Sequence, residues 1–428
     1  MTKSASEAFL LSLADRTFLK LWAIPNTFYK AGKELTDLIV PFGDDIIILS
    51  DKASSFDFGK DPDIAWSRWY AKTVEEGMRQ LKTAMQRVQR NPETVFTDGR
   101  ATKPIAHQLG PIAQKRFHLV AIARPHRDPN IVPEQWPGLT YVAPATVRPF
   151  EIGPLTIGET VVHVFDGPTI DLLLRTLDTA PDFIAYLRGR AERLRAATRY
   201  RFAEPDLLAA ALVGWDHDPL GRPSVSPFAA VMPGHWEQYR TSETARRREA
   251  ANQPSRVIDA YIARQHREYE AGRMLGERPG FDRHERAMRY LAAESRFARR
   301  IIAHELHDIL TEADQSTFWA STVASPTTPG LRYVWLIYPD RPAEFTQEQG
   351  DAFLTEYLQQ HIVVARTLFD ETLVLGIALP NRESKDTANY TSLLDGSNWT
   401  EAHREEGLAL QALGIFENLE AQHRFHIR

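Results

Sequence analysis

The residues best suited to chemistry in this chain crowd into one short stretch. Glu34 and Asp37 precede the apolar run Leu38-Ile39-Val40, Asp51 and Lys52 follow the run Ile46-Ile47-Ile48-Leu49, and Gly43-Asp44-Asp45 lies between the two runs. Carboxylates are the natural ligands of a hard cation such as Mg²⁺. Such an ion polarises a phosphate and makes a bound water acidic, while a nearby lysine orients that water or steadies the charge that develops. Acids and a lysine at the outer ends of a hairpin are therefore a means of cutting a phosphodiester bond.

Strand geometry decides which of these groups can act together. Side chains two apart share a face of a strand, so Ser50, and not Asp51, stands on the face of Lys52. Three arrangements follow. A bulge turns Asp51 inward, Glu34 supplies the second acid from the preceding segment, or the site lacks a second acid. Asp44 and Asp45, directly after Gly43, read as turn residues.

The elements that must position these groups can be read on either side. Trp66 to Val88 has helical periodicity and is ended by Asn91-Pro92. Phe117 to Ala123 reads as a buried strand, so a hairpin, a long helix and a strand in that order predict a crossover that leaves the last strand parallel to one hairpin strand. Further strands are expected at Thr140 to Pro144 and Glu159 to Asp166, with helices at Thr169 to Leu177, Pro181 to Arg195 and Glu204 to Val213.

With an N-terminal helical segment ahead of it, this order resembles the PD-(D/E)xK superfamily, the restriction-endonuclease-like fold, over roughly the first 125 residues. The resemblance implies Asp37 as principal metal ligand, Lys52 as catalytic lysine, Glu34 near the end of the helical segment as accessory acid, Lys72 and Gln80 on the long helix as candidates for an assisting role, and Mg²⁺ or Mn²⁺ as cofactor. It implies a metal-dependent endonuclease acting on nucleic acid, DNA in particular, in restriction or phage defence, with a second copy or a defence complex as partner. Two features depart from the family pattern: Ser50 stands where the second acid is usual, and Thr36 stands where a proline usually precedes the first aspartate.

Beyond residue 213 the pattern changes. Gly214 to Arg222 is rich in Gly, Pro and Asp, His235 to Ala313 is helical and arginine-rich, and the last third reads as strand Leu331 to Tyr338, helix Thr346 to Leu368 and strand Thr372 to Leu379. The expectation is a mixed α/β chain in three parts: a nuclease-like domain at 1–213, a helical region at 214–315, and a strand-helix-strand unit at 316–428. Arg246-Arg247-Arg248 and the arginines after it could track phosphates, but interleaved glutamates favour a solvated face. His304-Glu305-Leu306-His307-Asp308 is one residue short of zincin spacing, and Asp216-His217-Asp218 has still less metal-binding character.

Composition sets the outer limits. At 428 residues and 43% hydrophobic the chain can build large cores, and with no cysteine any metal must be held by carboxylates, histidines or carbonyls. No run approaches the ~20 apolar residues of a membrane helix, and no export signal is evident, so a cytoplasmic protein is expected. The net charge of −5 disfavours a protein coated in positive charge, but not a nuclease with a local basic face. Two competing functions are a catalytically silent binding or scaffold subunit of the same fold, and a small-molecule hydrolase or sensor with its pocket at the strand ends of the C-terminal unit.

Overall fold

The computed structural model describes residues 5–146, 148–215, 231–274, 279–369, 371–385 and 388–416. The expected mixed α/β class is what it shows, in two compact units, Met1–Ala251 and Asn252–Arg428. The division falls at residue 251, whereas the composition shift is at 214–222; Asp216-His217-Asp218 lies outside the described residues.

The first unit begins with α1 (Ala5–Trp22), β1 (Ile24–Lys30), β2 (Lys33–Phe42) and β3 (Asp45–Ala53). Gly43 opens the two-residue turn between β2 and β3 with φ +58°, a conformation that favours glycine. A helical stretch follows as α2 (Pro62–Tyr70), a π turn (Ala71–Glu75) and α3 (Glu76–Arg90), and then β4 (Arg116–Arg124). Next come the short strands β5 (Thr140–Ala143), β6 (Glu151–Ile152) and β7 (Thr156–Ile157), and then β8 (Thr160–Asp166), α4 (Gly167–Thr176) and α5 (Ala180–Ala196). The unit continues with β9 (Tyr200–Ala203), α6 (Glu204–Trp215) and α7 (His235–Thr241), and it ends inside α8 (Glu243–Glu270).

The main sheet runs β1-β2-β3-β4-β8-β7, and β6-β5-β9 form a small second sheet. As the crossover argument predicts, β4 is parallel to β3, and α3 packs over both. Ile46 to Leu49 in β3 and Leu119 to Ala123 in β4 are essentially sealed from solvent, as strands covered on both faces should be. Gly77 of α3 lies against Ala121 and Ser50 on one face, whereas Phe9 of α1 and Gly167 of α4 meet Arg124 on the other. Burial of these unbroken aliphatic runs is the main source of the sheet's stability, at ~25 cal/mol per Å² of apolar surface.

The second unit holds most of α8, then α9 (Phe281–Ala292), α10 (Arg296–Glu312), β10 (Trp319–Ala324), β11 (Leu331–Tyr338), α11 (Gln347–Phe369), β12 (Leu373–Pro380), β13 (Tyr390–Asp395) and α12 (Glu401–Ala412). Its strands form a separate sheet, β10-β11-β12-β13, with β11 and β12 parallel and joined through α11. The expected strand-helix-strand unit is therefore present, widened by two antiparallel edge strands. No helix among the described residues is long and apolar enough to cross a membrane.

Candidate functional site

The β2–β3 register pairs Leu38 with Leu49, so one step further Asp37 stands opposite Ser50. Cross-strand neighbours share a face. Asp37, Ser50 and Lys52 thus project together towards α3, where Gly77 leaves space beside the Ser50 hydroxyl and the Lys52 stem. The Lys52 Nζ lies 3.5 Å from Asp37 Oδ2, and the Asp51 backbone N–H donates to the same oxygen at 2.9 Å. Both side chains keep some contact with solvent, Lys52 at 23% and Asp37 at 13%. Thr36, in the place of the family's proline, donates its hydroxyl to the Leu49 carbonyl at 2.6 Å and stitches β2 to β3 beside the pair.

Ser50 occupies the place of the usual second acid, and its partner is on the helix. Its Oγ donates to Gln80 Oε1 at 2.6 Å, and the residue is fully buried. Of the two helix candidates, Gln80 is thus brought to this face, while Lys72 is exposed in the π turn.

Asp51 does not turn inward. β3 and β4 keep one register from Asp45↔Arg116 to Ala53↔Arg124, so strand alternation carries Asp51 to the opposite face. There its carboxylate accepts from Arg124 Nε at 2.9 and 3.0 Å, with side chains 4% and 2% exposed. Its geometry removes it from the metal ligands expected on the Lys52 face. Glu34 is also displaced from its expected setting. α1 ends at Trp22, and Glu34 is an exposed residue at the start of β2, paired with Phe28 where the β1–β2 register is irregular. It stands three positions before Asp37, about 10 Å along the chain at ~3.3 Å per residue, with the register shift of the β1–β2 pairing between them.

Asp45, expected as part of the turn, is instead the first residue of β3, at the opposite end of that strand from Lys52. It is buried, and its carboxylate accepts from Arg116 Nε at 3.1 Å and from Arg188 Nη2 at 2.6 Å, with His118 Nε2 at 2.8 Å. Burial pushes its carboxyl up, but the bonds from His118, Arg116 and Arg188 outweigh this and hold it well below the usual range. The signal was hidden because its partners are 71 to 143 residues away. A second buried network joins Arg190 to Glu204 at 2.8 Å and to His163 Nδ1 at 3.2 Å. Burial, with the Arg190 charge beside it, keeps His163 neutral by pushing its pKa well down.

The arginine-rich helices are largely self-neutralised. Glu243 pairs with Arg246 and Arg247, Glu268 with Arg273, and Asp259 with the buried Arg296 and Arg299. His304 pairs with Asp308 at 2.7 Å on an exposed helix face. Among the described residues no group of three or more His, Asp or Glu is placed to hold a metal ion.

The donor set on the Lys52 face can still be matched to a cation. Mg²⁺ is commonly held by one or two carboxylates, with waters and substrate phosphates completing its octahedron. Asp37 meets the lower of these requirements, as the carboxylate that faces Lys52. Compared with known proteins, the chain matches no family model, no curated protein and no solved structure.

Proposed function

We propose that the first unit is a metal-dependent phosphodiesterase acting on nucleic acid, DNA in particular, with Asp37 and Lys52 at its centre. The observation that carries this reading is their convergence at 3.5 Å on one sheet face, from two strands, beneath a helix. The order helix, three-stranded meander, helix and parallel strand supports it further.

Asp37 would hold Mg²⁺ or Mn²⁺, and the ion, when bound, supplies polarisation of the phosphate and a more acidic water. Asp37 is itself held in place by the Asp51 N–H, so its carboxylate is oriented before any ligand arrives. Lys52 would orient the attacking water and steady charge on the phosphate oxygens. Gln80 and Ser50 position the strand end on which Lys52 stands. With Asp37 the one carboxylate assigned to the ion among the described residues, metal and substrate phosphate should bind together, and affinity for metal alone should be weak.

The test is cleavage of DNA and RNA with Mg²⁺ or Mn²⁺ by wild type and Asp37→Ala. Loss of at least ~10²-fold in rate is expected, of the size seen when a charge-stabilising group is removed. Activity unchanged by the substitution would contradict the assignment.

A second reading has an observation of its own. Ser50 is tied to Gln80 and Asp51 to Arg124, and among the described residues no group of three or more His, Asp or Glu is placed to hold a metal ion. That is what a silent member of the fold, retained for binding, should look like. Intact nucleic-acid binding by the folded protein, with no cleavage in either Mg²⁺ or Mn²⁺, would favour it.

A further inference from the structure

We propose that the second unit carries a binding cleft for a planar heterocycle of nucleobase type, at the carboxyl end of β11. The proposal is independent of the Asp37–Lys52 reading. The cleft encloses about 340 Å³ and is lined by Phe318, Tyr338, Asp340, Arg341, Phe345 and Phe353 among others. That volume sits at the low end of the roughly 300–1,000 Å³ of small-ligand pockets, so it suits one nucleoside rather than an extended ligand.

The location follows from topology. β11 and β12 are parallel and linked by α11, and open α/β sheets bind ligands beyond the carboxyl ends of such strands. The segment from Tyr338 to Phe345 leaves β11 there, and Gly350 and Phe353 enter on α11.

The lining is unusual for a surface. Phe318, Phe345 and Phe353 stay 36%, 38% and 43% exposed although phenylalanine is costly to leave in water. They form a connected aromatic wall: Phe318 to Phe353 at 5.9 Å, Phe345 to Phe353 at 6.4 Å, and Phe353 stacked on Tyr357 at 5.5 Å. Every base has a π face, so such a wall takes bases by stacking, with little regard to sequence. Asp340 and Arg341 line the cleft among the rings, already held by Ser384 and the Lys385 N–H at 3.0 Å and by Gln347 respectively, so the aromatic wall rather than an edge contact carries the recognition.

The cleft is built rather than incidental. Asp314 accepts from the backbone of Ser316 and Thr317 at 2.7 and 2.9 Å, and Asn381 donates to the Asp314 carbonyl at 2.8 Å, which fixes the loop ahead of Phe318. A Cβ on Gly350 would lie 2.7 Å from Arg341 Cδ, so glycine there lets the arginine stem lie across the first turn of α11.

The probes are adenosine and cytidine as free nucleosides, single-stranded oligoadenylate, and a duplex of the same length, titrated into the full chain by calorimetry. Binding of nucleosides, or of the single strand alone, supports the cleft if Phe345→Ala and Phe353→Ala each weaken it roughly 5- to 150-fold, the effect of losing one stacking partner. The first result identifies a free nucleoside as ligand, the second an unstacked base of a strand. Thermal melting of each variant close to wild type shows that the loss is local. No binding of any probe, binding unaffected by both substitutions, or binding of the duplex alone would overturn the proposal.

Discussion

The Asp51 carboxylate is clamped by Arg124 Nε at 2.9 and 3.0 Å, on the sheet face opposite Lys52. This pair gives the acid next to the lysine a structural partner of its own. Arg124 is almost sealed from solvent, and its Nη2 has no hydrogen-bond partner, so Asp51 is what makes its burial tolerable.

Asp51→Ala should therefore cost ~3–5 kcal/mol in stability, because it leaves a buried guanidinium without its counter-charge. Denaturant unfolding measures this. The cleavage rate per folded molecule should stay within a few-fold of wild type, since the side chain is not on the Lys52 face. A stability cost below ~1 kcal/mol would show that the pair contributes no more than a surface ion pair.

Ser50→Asp should tighten Mg²⁺ binding about tenfold or more, because it adds a second carboxylate on the Asp37 face. The Ser50–Gln80 bond is lost in the exchange, so Ser50→Ala is the control for stability alone. Calorimetric titration with Mg²⁺ distinguishes them. A folded Ser50→Asp protein with unaltered metal affinity would rule out this face as a cation site.

Asp45 should make stability depend on acidity. Its folded carboxyl is held below its unfolded value, near 3.9, so the stabilisation is full above that pH and is lost as pH falls through the folded value. Asp45→Asn should cost ~2 kcal/mol at pH 7, where it removes charge-assisted bonds to Arg116, Arg188 and His118. The gap from wild type should narrow below about pH 4, in urea melts repeated across that range. A constant gap would show that the carboxylate's charge is not what matters.

Glu204→Ala should be among the most damaging substitutions in the first unit. Glu204 takes both Arg190 Nε and the Tyr186 hydroxyl, all three buried. Removing it strands a cation at a cost of ~3–5 kcal/mol. Thermal melting checks this, and Glu204→Gln should recover part of the loss.

What the sequence could reveal depended on the range of the interaction. The aliphatic run Ile46 to Leu49, the amphipathic stretch ending at Asn91-Pro92 and the Leu331 to Tyr338 strand announce themselves through local pattern, and all three form as expected. Strand parity also put Ser50, not Asp51, beside Lys52. The edge strands Ile24–Lys30, Trp319–Ala324 and Tyr390–Asp395 were not legible, because partly exposed strands with one paired side carry weak hydrophobic signals. Asp45, expected in the turn, and the partner of Asp51 were not legible for another reason. The meaning of both aspartates lies in Arg188 and Arg124, residues remote in sequence that only the folded sheet brings near.

The central claim stands or falls on Asp37 and Lys52 acting together. Measure single-turnover cleavage of single-stranded and duplex DNA in Mg²⁺ and in Mn²⁺, for wild type, Asp37→Ala and Lys52→Ala. The account expects metal-dependent cleavage by wild type and a loss of ~10²-fold or more in both variants, with folding retained. No cleavage by folded wild type in either metal, or equal cleavage by all three proteins, would contradict it.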